Sequence, residues 1–163
     1  MTATYEKIAT NTLGSATTTI TFSSIPATYT DLVLVVAGTF TNANSSGLLR
    51  LNGDTASNYS STALRGNGTT ASSSRATSAS NITGNQDGSS LGQCNYIWNI
   101  MNYANATTYK TVLVRANDAG GYTAATAGLW RSTSAITSVT FFTNDPGISS
   151  GTTLNLYGIL KAA

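Results

Sequence analysis

The stretch Tyr109-Lys110-Thr111-Val112-Leu113-Val114-Arg115, followed by Asp118-Ala119-Gly120-Gly121 and then by Tyr122 to Arg131, decides the fold class. A run rich in β-branched and aromatic residues, a turn cluster, and a return run make a β-hairpin. The same grammar extends on both sides. Upstream, Tyr96, Trp98 and Ile100 alternate with Ile97, Asn99 and Met101, a strand with two usable faces. Downstream, Ile136 to Thr143 leads into the turn Asp145-Pro146-Gly147, and Thr153 to Leu160 forms a last strand with Leu154, Leu156 and Leu160 on one side.

Nearer the N-terminus, Thr18, Ile20 and Phe22 face one way and Thr17, Thr19 and Thr21 the other, and Ile25-Pro26 ends that strand because proline cannot donate to a ladder. The run from Asp31 to Ala37 is apolar without a break after its first residue, which predicts a strand covered on both faces or central in a sheet. Leu49 and Leu51 alternate with Arg50 and Asn52, the turn Asn52-Gly53-Asp54 follows, and Tyr59 to Arg65 reads as the returning arm of a hairpin. No helical periodicity interrupts the series. Eight or nine strands at this spacing predict an all-β, two-sheet antiparallel β-sandwich of jelly-roll type, with a closed barrel as the alternative.

At 163 residues the chain is one domain with room for one core. Residues 1–10 read as an N-terminal arm, and residues 11–163 as the sandwich. Within it, 66–93 reads as a long polar loop, because Ile82 and Leu91 are almost its only sizeable apolar residues. That loop is either a surface excursion or a segment ordered against a neighbouring subunit.

Composition narrows the chemistry. Thr, Ser and Asn contribute 29, 20 and 15 residues, charged residues are only 9%, histidine is absent, and cysteine and glutamate occur once each, at Cys94 and Glu6. A hydroxyl nucleophile then has no imidazole base, and Lys7, Lys110 and Lys161 lie in no Ser-x-x-Lys context. The remaining acids, Asp31, Asp54, Asp87, Asp118 and Asp145, sit at turns or strand ends, and Asp there is a turn former. One Cys without His cannot build a zinc site, and neither Asn52-Gly53-Asp54 nor Asn85-Gln86-Asp87-Gly88 has the spaced acids of a calcium loop. The expectation is a protein that is not an enzyme and holds neither metal nor cofactor.

A net charge of +2, with the basic residues scattered singly, argues against nucleic acid. The longest strictly apolar run, Leu32 to Ala37, is too short to span a bilayer, and Met1 to Lys7 lacks the features of a signal peptide, so synthesis and folding in a cytoplasm are expected. Five N-x-S/T triplets, starting at Asn44, Asn58, Asn67, Asn81 and Asn105, follow from composition alone.

What is left is the surface. Hydroxyls and amides pair across an interface at little cost, whereas ionised groups cost several kcal/mol each to bury unpaired. Such a surface suits packing against copies of itself or against a scaffold. It also suits sugar recognition, with aromatic faces stacked on rings, although core filling is the first reading for Tyr96, Trp98 and Trp130.

Several blocks resemble one group of proteins. The opening TYEKIATNTLGS and TITFSSIPATYTDLVLVV, then LRLNGD…NYSSTALRGNG at Leu49 to Gly68, NIMNYANATTYKTVLVRAN at Asn99 to Asn117, GLWRSTSAITSVTF at Gly128 to Phe141 and TLNLYGI at Thr153 to Ile159, are similar to small virion proteins of tailed bacteriophages, many from marine and cyanobacterial hosts. The resemblance spans nearly the whole chain apart from Gly66 to Gln93 and carries no catalytic signature. It implies a sandwich module that decorates heads or forms the tips of tail fibres, placed in the virion.

Two expectations follow. The first is a capsid decoration or cement protein, a homo-oligomer (a trimer) contacting the major capsid protein and its own copies through Tyr5, Lys7, Arg65 and Arg75. The second is a tail-fibre or receptor-binding module contacting host glycans through Tyr103, Tyr122 and Trp130. Two buried tryptophans, together with no aromatic exposed near the polar loops, would remove the main support of the second.

Overall fold

The computed structural model describes residues 4–41, 45–84, 93–143 and 147–160. Twelve strands run in chain order: β1 (Tyr5–Thr12), β2 (Thr19–Phe22), β3 (Asp31–Thr39), β4 (Gly47–Leu51), β5 (Tyr59–Gly66), β6 (Ala71–Ala79), β7 (Ile82–Thr83), β8 (Gln93–Ile100), β9 (Lys110–Asp118), β10 (Thr123–Trp130), β11 (Val139–Thr143) and β12 (Thr153–Ile159). They form two antiparallel sheets, an eight-stranded one in the order β1-β12-β3-β8-β9-β10-β5-β6 and a four-stranded one in the order β2-β11-β4-β7. The chain steps from sheet to sheet as in a jelly roll: β2, β4, β7 and β11 make the small sheet, while β3, the β5–β6 hairpin and the β8–β9–β10 meander make the opposing layer. β12 and β1 extend that layer at one side.

Period-2 patterning builds the core. Leu32, Leu34 and Val36 on β3, Tyr96, Trp98 and Ile100 on β8, Val112 and Val114 on β9, and Leu154 and Leu156 on β12 all turn inward and are buried. Opposite them stand Ile20 and Phe22, Leu49 and Leu51, and Val139 and Phe141. Phe141 meets the Trp98 ring edge-on at 6.2 Å and tilts against Tyr96 at 5.9 Å, so one aromatic cluster locks the layers together. As its sequence predicts, β3 is central in the large sheet.

Four expectations need correction. Leu49–Leu51 and Tyr59–Arg65 are not two arms of one hairpin: β4 pairs with β11 and β7, and β5 pairs with β10 and β6. Asn52 and Gly53 do take positive φ (52° and 66°), but the chain then crosses to the other sheet. Asn52 Oδ1 accepts from the N–H groups of Thr137 and Ser138, which holds that crossing against the approach to β11.

The polar stretch 66–93 is not one long loop. Asn67 Oδ1 accepts from the N–H groups of Thr69 and Thr70, making an Asx turn that sends the chain back along β5 as β6. Residues 85–92, with Leu91 and Asp87, lie outside the described residues, as do residues 144–146 of the expected Asp145-Pro146-Gly147 turn. The described part of the N-terminal arm is also a strand, β1 being paired along β12 with a bulge between Lys7 and Ala9. Among the described residues the strand count is therefore twelve, where the pattern predicts eight or nine.

Candidate functional site

The inward residues of the large sheet are consumed by the core, and the alternate ones form a broad outward face. The strand register lines them up in rows. One row runs Lys7, Tyr157, Val33, Asn99, Leu113, Ala127, Thr62, Arg75. The next runs Thr10, Asn155, Val35, Ile97, Arg115, Ala125, Leu64, Ser73 by the same pairings. With strands about 4.8 Å apart, seven spacings give a face about 34 Å wide.

The rows mix small hydroxyl and methyl groups with larger apolar side chains. Leu64 is 62% exposed, Leu113 38% and Tyr5 55%. Among the described residues the side chains charged at neutral pH in these two rows are Lys7, Arg115 and Arg75, all basic. Asp31, at the margin of the face, is engaged: its Oδ1 accepts from the Asn102 N–H at 2.6 Å. The outward face of the small sheet is closed by its own contacts, with the Arg50 guanidinium 4.4 Å above the Phe142 ring and the Thr21 and Thr140 hydroxyls 3.0 Å apart.

The expected contact residues divide. Tyr5 and Lys7 stand at one margin of the outward face, on β1, and Arg75 at the opposite margin, on β6. Arg65 turns the other way, and its Nε donates to Ser72 Oγ at 2.8 Å.

The expected glycan residues do not converge. Tyr103 is buried, with its hydroxyl donating to the Pro26 carbonyl and accepting from the Tyr29 N–H. Trp130 is 2% exposed, stacked on Tyr59, and its Nε1 donates to Asp54 Oδ2 at 2.7 Å. Tyr122 is half-buried at the far end of the β9–β10 hairpin, where its N–H donates to Asp118 Oδ1. Trp98 is fully buried as well. The two indole rings serve the core.

The titratable groups are structural in their surroundings. Asp54 accepts from Asn58 Nδ2, Trp130 Nε1 and the Ala56 N–H, and the Asn58 bond first, then that of Trp130, hold its carboxyl below the ordinary range. Burial, with Asp118 nearby, pushes the Cys94 thiol up to about 12, so it stays protonated and unreactive at neutral pH. Among the described residues no three His, Cys, Asp or Glu side chains gather as a metal site would need.

Lys110 is the residue that sequence reasoning passed over. Its side chain is fully buried, Nζ donates to the Thr108 and Thr133 carbonyls at 2.8 and 3.2 Å, and desolvation lowers its pKa. The signal was available, because Lys110 shares the parity of Val112 and Val114. Asn105, like Asn67, uses its side-chain oxygen to accept from backbone N–H groups two and three residues on, so two of the N-x-T triplets are turn devices. Compared with models of known families, with curated proteins and with solved structures, the chain shows no match.

Proposed function

We propose that this chain is a structural protein of a bacteriophage virion, a decoration or cement protein that docks on the outside of the head and stabilises it by subunit contacts. The observation that carries the reading is the outward face of the large sheet: wide, mixing hydroxyls with apolar groups, and basic along its two central rows, with Asp31 only at its margin. Burying such a face desolvates few ions, and its basic groups select an acidic counterpart. The resemblance of the β-strand blocks to small virion proteins supports the same assignment. A catalytic reading has no comparable support, since Asp31, Asp54 and Asp118 are engaged in turns and at strand ends. Of the three aromatics expected for the glycan reading, Tyr122 alone reaches solvent in part, and the exposed aromatic beside a polar turn is Tyr109, at 55%.

The test is the copy number of the chain in purified particles, with the heat resistance of heads stripped of it. Copies in proportion to the major capsid protein, and heads that burst at lower temperature without it, are the expected result. A handful of copies located at the tail would replace decoration by the fibre reading. Heads of unchanged robustness would remove the cementing role.

A further inference from the structure

The two margins of the large sheet are not alike. On β1 the edge is interrupted by the bulge between Lys7 and Ala9, and it carries the charged pair Glu6 and Lys7. These are the devices by which proteins keep free edges from pairing. β6 keeps such devices to its far end: past Ala76 its register on β5 shifts and Ser78 takes a positive φ of 53°, and its charge is Arg75. Its first six residues, Ala71 to Ala76, contain no proline or lysine and hold unbroken register with β5.

The turn fixes which backbone groups of β6 are free. The Asn67 N–H donates to the Thr70 carbonyl, so 67 and 70 are a hydrogen-bonded pair. Alternation along the ladder then assigns the pairs Arg65 with Ser72, Ala63 with Ser74 and Ser61 with Ala76 to the hydrogen-bonded class. The N–H and C=O groups of Ala71, Ser73 and Arg75 point off the sheet. On the inward side, Ser74 Oγ is shielded from solvent and has no hydrogen-bond partner among the described residues. A shielded hydroxyl left unpaired is costly.

We infer that β6 pairs antiparallel with β6 of a second copy about a two-fold axis at Ser74, joining two large sheets into one continuous sheet. This register sets Ser73 opposite Arg75 of the second copy, with their free backbone groups facing. It keeps the two Arg75 side chains out of direct opposition. Ser74 meets Ser74 of the second copy as a pair without backbone hydrogen bonds, the kind in which side chains come closest, and the stranded hydroxyl gains a partner. The occupant is a second copy because an identical strand offers the same free groups in the complementary direction. The inference deepens the part of the proposed function that concerns self-packing, and it is decided in free solution, apart from any docking on a head.

The test uses the full chain. Sedimentation or light scattering is expected to give twice the 16.8 kDa chain mass. Ser73→Pro removes an N–H that faces outward and leaves the β5 ladder intact, so the variant should run at half the wild-type mass with an unchanged circular dichroism spectrum. Ser74→Cys in a Cys94→Ala background should form a reducible disulfide dimer, because Cα atoms about 4.5 Å apart suit the bond. Cysteine at Ser72 should not. A wild-type monomer, a three-fold particle, an oligomer indifferent to Ser73→Pro, or absence of the Ser74→Cys cross-link would each overturn the pairing. None of these results bears on where the chain sits in a virion, whereas loss of the copy-number result leaves the pairing untouched.

Discussion

Asp54 gathers three donors at one end of the sandwich, and the Trp130 indole among them has nowhere else to turn. Asp54→Ala should cost about 1–3 kcal/mol, the penalty of stranding a buried donor, and urea unfolding curves measure it. The pH dependence has a definite sign. Because the folded carboxyl lies below its ordinary 3.8, the stability it contributes is complete above that value and drains away as pH falls through the lowered one. Asp54→Ala should lack that acid-side loss. Lys110 has the opposite logic. Its charged form is disfavoured by burial, so folding gains as pH rises from the lowered value toward the ordinary 10.5. The stability difference between wild type and Lys110→Met should move in favour of wild type over that range, as paired unfolding curves would register. Residue by residue, the sequence spoke through parity. Core filling, the first reading of Tyr96, Trp98 and Trp130, is where the structure puts them, and the parity of Val112 and Val114, applied to Lys110, would have placed that side chain inside as well.

At the scale of elements, glycine marks where the layers approach. A Cβ on Gly128 of β10 would lie 2.6 Å from Ile82 Cγ2, and Ile82 is held in β7 by its pairing with Leu49. Gly128→Ala should therefore cost about 1–3 kcal/mol by overpacking, seen as a lowered thermal midpoint with the strand content retained. The strands that were legible are those with a core to cover, because burial on one face writes alternation into the sequence. β6 escaped for the converse reason. Its inward positions, Ser72, Ser74 and Ala76, lie on the last strand of the large sheet, and no apolar periodicity was required of them. β7, of two residues, is too short to carry any pattern, and β1 is polar enough to read as an arm. The crossing after Asn52-Gly53 was missed because a turn's local geometry does not state which sheet receives the next strand.

For the whole molecule, the decisive asymmetry lies between the two outward faces. That of the small sheet satisfies itself through Arg50 over Phe142 and the paired threonines, while that of the large sheet presents Leu64, Leu113, Val35 and Ile97 among Lys7, Arg115 and Arg75. The fold class was legible because the strands that cover the core share one alternation. The proposed docking face was not, since it emerges only when the register brings residues more than a hundred positions apart into one row, as with Lys7 and Tyr157. The candidate aromatics failed for a related cause: ring chemistry reads the same whether Trp130 fills a core or meets a sugar. Under the proposed function, the large sheet's outward face is what the capsid grips. The most direct measurement is occupancy of the variant Leu113→Asp/Arg115→Glu on heads stripped of the wild-type chain. Occupancy at least tenfold lower, with an unchanged circular dichroism spectrum, is the predicted result, and a variant that fills its sites as fully as wild type would contradict it.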